Sequence, residues 1–245
     1  MKVVIINQAR MTSTRLPAKV MKQVLGKPLL EYQIERLKRV KLADQIVVAT
    51  TINDTDQPIV DLCDRLSITS YRGSEDDVLA RYHGAAIAYQ ADVVVRVTSD
   101  CPIIDPQVID QVIQFYIESY PKYDYVSNAL GRTYPRGMDT EVFAFADLDE
   151  AFHRATAQPD REHVTPFIYR HPDRCNLGKI NYFENHSNHR WTVDTIEDFE
   201  LIKIIIETLY PVKPEFTLED CLELLSHNPE WMTINQHIEQ KQYGE

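Results

Sequence analysis

The sequence predicts an α/β fold, a mainly parallel, doubly wound sheet with a small inserted subregion. Three observations predict it. Short apolar, β-branched runs alternate with segments of helical periodicity from end to end. The clearest of these runs lead into polar turns, which is where an open parallel sheet binds its ligands. Finally, 245 residues can bury one sizeable core, and no Gly/Ser- or Pro-rich linker, low-complexity tract or solenoid-period repeat divides them. Residues 1–245 are therefore read as one domain. The stretch from about 123 to 182, whose strands fall outside simple alternation, is read as the inserted subregion.

Val3 to Ile6 is the first buried strand, and the loop leaving it, Asn7 to Lys19, carries Arg10, Arg15 and Lys19. This loop has no glycine. It is therefore neither a Walker A loop nor a G-x-G-x-x-G turn, both of which present backbone N–H groups to phosphate. Side chains must do that work here, and each cation about 4 Å from a phosphate charge gains roughly 4 kcal/mol before desolvation. Through Lys41 there are ten Lys/Arg against two Asp/Glu, about +8, which leaves about −19 elsewhere for a net charge of −11. A local positive field on an acidic protein suits a small polyanion and excludes nucleic acid as a partner. Lys22, Arg36, Lys38, Arg39 and Lys41 are read as solvating helix faces.

Pro28 to Val40 has the periodicity of a helix, with Leu30, Ile34 and Leu37 facing inward. Gln45 to Thr51 is a second buried strand, and a helix from about Pro58 to Leu66 follows. Together with the first strand they form a βαβ unit, the Rossmann-like, nucleotide-binding half of the sheet. Ile68 to Tyr71 reads as a short strand. It ends at Arg72-Gly73-Ser74, where Gly73 permits close backbone approach and Ser74 or Asp76 can cap the helix from about Val78 to Gln90.

Asp92 to Asp100 is the clearest strand, stopped by Pro102. Asp100 at its carboxyl end either faces ligand or caps the next helix, and Asp105 before Pro106 is the better-placed cap. After an amphipathic helix over 107–119 and a strand from Tyr123 to Leu130, an irregular loop holds Arg132 and Arg136. The next strand, Asp139 to Phe145, puts Asp139 and Glu141 on one face, either a polar site or a solvated surface. His163 is either a structural histidine or a substrate or dimer contact, and the pair His186 and His189 lacks an evident third metal ligand. Arg190 to Asp194 reads as a strand delivering Asp194 to the head of a helix containing Leu201, Ile204 and Ile205. Two further helices, at about 217–226 and 229–240, carry no evident chemistry.

The run Ala9-Arg10-Met11-Thr12-Ser13-Thr14-Arg15-Leu16-Pro17-Ala18-Lys19, followed by Leu25-Gly26-Lys27-Pro28-Leu29, resembles the opening signature of the sugar-acid cytidylyltransferases. These include the 3-deoxy-manno-octulosonate and acylneuraminate enzymes and the spore-coat polysaccharide subgroup, to which the Asp160-Arg161-Glu162-His163 pattern is most similar. Val193-Asp194-Thr195-Ile196-Glu197-Asp198 is a second match to that family.

The resemblance implies that CTP is a substrate. Its triphosphate would contact Arg10, Arg15 and Lys19, with Gln8, Ala9 and Ser13 beside them, and its cytosine would lie near Arg72, Gly73 and Ser74. It further implies Mg²⁺ on Asp100 and Asp194, making Arg10, Arg15, Lys19 and Asp100 the catalytic set. Arg136, Asp139, Glu141 and His163 would face a small sugar-acid acceptor. Ser99 and Thr192 depart from the family pattern, standing where a glycine and, in some members, a further aspartate occur.

Related enzymes pair through the segment equivalent to 123–182, and exposed strand edges bearing Phe143 and Phe145 would be covered in a homodimer. A nucleotide-sugar-dependent glycosyltransferase usually holds its metal with Asp-x-Asp, whereas this strand ends Thr98-Ser99-Asp100. A non-catalytic nucleotide-binding partner need not keep a metal site. Without a signal-peptide pattern or a membrane-length apolar run, and with four scattered cysteines read as structural, the expected location is cytoplasmic, with no membrane insertion.

Overall fold

The computed structural model describes residues 1–171 and 173–240. Strand β1 (Val3–Gln8) leads through a small antiparallel hairpin, β2 (Gln23–Val24) and β3 (Lys27–Pro28), into helix α1 (Leu29–Leu37). The alternation continues with β4 (Gln45–Thr51), α2 (Gln57–Arg65), β5 (Thr69–Gly73), α3 (Val78–Ala88), β6 (Val93–Thr98) and α4 (Pro106–Ser119). Next come β7 (Tyr125–Ser127), β8 (Glu141–Ala144), α5 (Phe145–Arg154), α6 (Gln158–His163), α7 (Pro166–Tyr169) and β9 (Leu177–Lys179). Helices α8 (Ile196–Leu209) and α9 (Leu218–His227) complete the series.

Among the described residues seven strands form one sheet in the order β5-β4-β1-β6-β8-β7-β9. The first four are mutually parallel, β8 runs antiparallel to both its neighbours, and β9 is parallel to β7. The expected mainly parallel sheet is therefore present, and residues 123–182 extend it rather than standing apart. Two-residue alternation sends Val3 and Ile5 of β1 into the layer with α1, α4, α8 and α9, and Val4 and Ile6 into the layer with α3 and α5. Ile5 and Ile6 are fully buried, and each such burial stabilises by roughly 1.5–3 kcal/mol. Helices on both faces leave the carboxyl ends of β1 and β6, adjacent in register at Gln8 and Thr98, open to ligand.

Several local expectations are corrected. Asp77 caps α3, accepting from the Ala80 N–H, while the Ser74 hydroxyl oxygen accepts from the Asp77 N–H. Arg36 is buried, not solvated: its guanidinium lies 3.8 Å from the Phe216 ring centroid and donates to the Phe216 carbonyl, and burial lowers its pKa to about 10. The strand read over 139–145 is only Glu141–Ala144, because Phe145 opens α5. Phe143 is fully buried and the Phe145 ring stacks with His83, so neither forms an exposed aromatic edge. Among the described residues Arg190 to Asp194 forms no ladder: Arg190 makes an isolated parallel bridge with Arg136, and the Val193 N–H donates to the Asp100 carbonyl (2.7 Å). The segment from 229 makes a 3₁₀ turn, Pro229–Ile234.

Glu141 is the main correction among the site residues. Its carboxylate is buried beneath the sheet end, where it accepts hydrogen bonds from Arg96, Tyr125 (2.5 Å) and Thr165 (2.7 Å). Three donors occupy it and it does not line the cavity described below, so it is a structural counter-ion to Arg96 and not an acceptor contact. Removing it leaves the Arg96 guanidinium buried and unpaired, so Glu141→Ala should lower the unfolding free energy by about 3–5 kcal/mol in chemical denaturation. A loss below about 1 kcal/mol would contradict this assignment.

Candidate active site

The cationic loop takes its shape from buried acceptors. Asp56, at the foot of α2, accepts from the Met11 N–H (2.8 Å), the Thr51 N–H (3.1 Å) and the hydroxyls of Thr50 and Thr51. Burial would raise its pKa, but these bonds outweigh burial and hold it below the usual carboxylate value. The loop closes where the Ala18 N–H donates to the Met11 carbonyl (2.8 Å), with Ala18 in the left-handed region at φ 55°. That bend turns Lys19 back toward the sheet. On the other side, the Ser99 N–H donates to the Gln8 carbonyl (3.1 Å), so the Asp100 turn leaves β6 directly beside the loop.

Lys19 and Asp194 form the centre of the site. Lys19 Nζ donates to Asp100 Oδ2 (3.1 Å) and Asp194 Oδ1 (2.9 Å), joining segments 81 and 175 residues away. The other Asp194 oxygen meets Arg15 and Arg190, each at 2.9 Å. Arg190 is fixed in turn by Asp198, which also accepts from the backbone N–H groups of Asp194 and Thr195 and from Asn235. Burial pushes the Asp100 carboxyl up, yet the Lys19 charge and hydrogen bonds from Thr98, Lys19 and Cys101 hold it at about 2. Burial likewise pushes Lys19 down, and the two aspartates outweigh it, so Lys19 titrates above its ordinary value. Both partners are therefore charged at neutral pH.

Across a cavity of about 340 Å³, the opposite wall comes from the inserted region. Here Arg136 and Gly137 run alongside Arg190 and Trp191: the Arg136 N–H donates to the His189 carbonyl and the Trp191 N–H to the Arg136 carbonyl. Gly137 has φ 108°, and a Cβ there would lie 2.7 Å from the Trp191 carbonyl carbon, so only glycine fits the approach. Asp139 is paired with Arg132. His163 completes this wall, with its pKa lowered because burial outweighs the carboxylates of Glu162 and Asp160.

Of the residues expected at the site, Gln8, Ala9, Arg10, Ser13, Arg15, Lys19, Asp100, Arg136, Asp139, His163 and Asp194 line this one cavity. Arg72, Gly73 and Ser74 do not. The Arg72 guanidinium is spent on the carbonyls of Thr51 and Asn53, Gly73 belongs to β5, and the Ser74 carbonyl accepts from Arg81. A Cβ at Gly73 would stand 3.0 Å from Arg81 Cγ, so the glycine makes room for Arg81, which reaches the cavity in its place. Arg81 is buried without a carboxylate at ion-pair distance among the described residues, and burial lowers its pKa. Arg81 and Arg96 were the residues missed. Their signal is in the sequence: Arg81 interrupts the apolar stripe Val78, Tyr82, Ala85, and Arg96 interrupts a run of valines.

The arrangement suits a polyphosphate. Arg10, Arg15 and Lys19 ring one end, while two carboxylates converge on a single ammonium and so lie no farther apart than two hydrogen bonds laid end to end. Two aspartate oxygens completed by phosphate oxygens and water are the donor set of an octahedral Mg²⁺, and these residues fit it. The His186 and His189 rings lie 5.8 Å apart and His186 Nε2 is 3.5 Å from Glu184, but among the described residues these side chains do not gather into a three-ligand metal group; Cys63, Cys101, Cys175 and Cys221 are all free, as expected.

A family model described as cytidylyltransferase matches residues 3–221. The spore coat polysaccharide biosynthesis protein SpsF of Bacillus subtilis is 32% identical over 241 residues, covering 94% of this chain and 97% of that one. A 3-deoxy-manno-octulosonate cytidylyltransferase of Geobacter metallireducens is 31% identical over 113 residues, 46% of this chain and 44% of its own. The solved structure of a cytidylyltransferase from Leptospira borgpetersenii superposes with a TM-score of 0.91 at 32% identity, covering 99% of this chain and all of that one.

The charge balance at the centre is testable by titration. With Lys19→Met, burial acts on Asp100 without its main opponent, and the carboxyl pKa should rise from about 2 by about one unit or more. NMR observation of the Asp100 side-chain carbon reads this directly, and a value that stays near 2 would show that Thr98 and the turn hold the charge instead. The sign for stability follows: a depressed carboxyl stabilises the fold above its unfolded value of 3.8, and that contribution fades as pH falls from there toward about 2.

Proposed function

The chain belongs to the sugar-acid cytidylyltransferase family, and from that premise we propose that it transfers CMP from CTP to a hydroxyl of a sugar acid and releases pyrophosphate. The observation that carries this reading is the convergence of Lys19, Asp100 and Asp194, three motifs far apart in sequence, at the open carboxyl ends of the central strands. The acceptor belongs to the nonulosonate or octulosonate class, and the product feeds surface polysaccharide or glycan synthesis. That choice is supported by the Geobacter relative, a 3-deoxy-manno-octulosonate cytidylyltransferase, and the Bacillus relative, a spore coat polysaccharide biosynthesis protein.

In this mechanism Arg10, Arg15 and Lys19 bind the triphosphate and orient its α-phosphorus, with Arg81 reaching in from the β5 side to face the nucleoside. Arg136, half-buried and without a carboxylate at ion-pair distance among the described residues, takes the acceptor's carboxylate, while Asp139 and His163 face its hydroxyls. The acceptor hydroxyl gives up its proton to solvent as its oxygen attacks the α-phosphorus and the bond to the β-phosphate oxygen breaks, in line, and the cations hold the charge that develops on the leaving pyrophosphate. Asp100 and Asp194 would hold Mg²⁺, which when bound supplies Lewis-acid stabilisation of the phosphate oxygens. His163, kept neutral at pH 7 by its lowered pKa, serves as a hydrogen-bonding group rather than a cation.

The enzyme in this reading is cytoplasmic and pairs as a homodimer through the inserted region, where β9 is an edge strand with β7 as its neighbour. Among the described residues no helix is long and apolar enough to cross a membrane. The glycosyltransferase alternative is disfavoured because the β6 turn offers one aspartate, Asp100, and its carboxylate partner comes from a separate segment.

Pyrophosphate release from CTP with a panel of sugar acids decides between the readings. Turnover should require a divalent cation, and Asp100→Asn or Asp194→Asn should cut kcat by at least about a hundredfold while the protein stays folded. A fully active variant at either position would remove it from the metal-binding role. Arg15→Ala should weaken CTP far more than CMP in calorimetry. Equal losses for the two nucleotides would place Arg15 in a structural role.

A further inference from the structure

Outside the cavity, α3 and α5 bring together a histidine, an aspartate and a second histidine. His83 lies on α3, and Asp149 and His153 lie one turn apart on α5. None of the three lines the cavity. His83 Nε2 is 2.7 Å from Asp149 Oδ1, and His153 Nε2 is 3.5 Å from the same oxygen. One ligand atom from each residue lies within 4.8 Å of the other two.

We propose that His83, Asp149 and His153 form a site for a transition-metal ion of the Zn²⁺ class, which staples α3 to α5. The chemistry of the donors sets the class: two imidazole nitrogens with one carboxylate oxygen suit zinc and its neighbours and not Mg²⁺ or Ca²⁺. Tetrahedral zinc with bonds of about 2.05 Å needs donors about 3.3 Å apart, and the two observed separations, 2.7 and 3.5 Å, bracket that spacing. The spacing of Asp149 and His153 is the i,i+4 arrangement by which one helix face offers two ligands.

The ligand burial is graded in a way that permits capture. The His83 imidazole is stacked on Phe152 at 4.0 Å and 8°, with Phe145 beyond at 5.6 Å, so its orientation is fixed before any ion arrives. Its side chain is 9% exposed, whereas Asp149 is 43% and His153 65% exposed, so the last ligand can swing to close the set. Three protein ligands leave a fourth position for water. A hydrogen bond from His83 to Asp149 explains that contact alone. It does not explain why a second imidazole nitrogen converges on the same carboxylate oxygen.

The full chain, stripped with EDTA, would be titrated with Zn²⁺ by calorimetry in saturating Mg²⁺, and with Co²⁺ by visible absorption. One Zn²⁺ per chain should bind at micromolar or tighter affinity, with Co²⁺ bands of a four- or five-coordinate site and a rise in melting temperature. His153→Ala, at an exposed position, should fold normally and leave CTP turnover unchanged, but weaken Zn²⁺ binding by about tenfold or more. Asp149→Asn should do the same. The Asp100→Asn/Asp194→Asn double variant should keep the site intact. Absence of stoichiometric Zn²⁺ uptake overturns the proposal and leaves a hydrogen-bonded surface triad. So does uptake that is insensitive to His153→Ala, or that is lost only in the double variant.

Discussion

Asp194 is the constraint on which the rest of the site depends. It is a buried carboxylate ringed by Lys19, Arg15 and Arg190, and no single segment could supply that balance. A buried charge without partners costs several kcal/mol. The fold must therefore deliver the cationic loop after β1, the Asp100 turn after β6 and the head of α8 to one point, or lose stability. The proposed chemistry rests on the same convergence, because the cations gathered to neutralise a pair of carboxylates are the ones that the proposed mechanism assigns to the triphosphate.

Behind Asp194 stands a supporting layer that never touches the cavity. Asp198 is fully buried, and it ties Arg190, Asn235 and the backbone at the start of α8 into one hydrogen-bonded unit. Its position in the Thr195 capping box means that the same side chain both starts a helix and sets the neighbouring aspartate. Gly137 does comparable work on the other wall: its lack of a Cβ lets the inserted region approach Trp191 closely enough to bring Arg136 and Asp139 over the site.

Much of this was legible in the sequence, for physical reasons that can be named. The strands β1, β4 and β6 are near-continuous apolar runs because both faces of a parallel sheet are covered. Arg10, Arg15 and Lys19 stood out because three cations crowd one glycine-free loop at the end of a buried strand. The parts that were misread depend on contacts between segments distant in sequence. Glu141 alternates with Asp139 as a polar face should, yet the partner that claims it, Arg96, lies 45 residues earlier. Arg72 to Ser74 sits at the correct strand end, but β5 runs on through Gly73 and Arg81 takes the place at the cavity. Arg36 has the spacing of a solvated position until α9 and the preceding Phe216 cover it.

The central claim is that Asp100, Asp194 and Lys19 together form the phosphate and metal centre of a cytidylyltransferase. A crystal structure of the protein with CTP and Mn²⁺ tests it most directly, because anomalous scattering locates the ion independently of the nucleotide. The account predicts an ion in contact with carboxylate oxygens of both Asp100 and Asp194, with Lys19 and Arg15 on phosphate oxygens. An ordered nucleotide whose phosphates and ion lie away from both aspartates would contradict it.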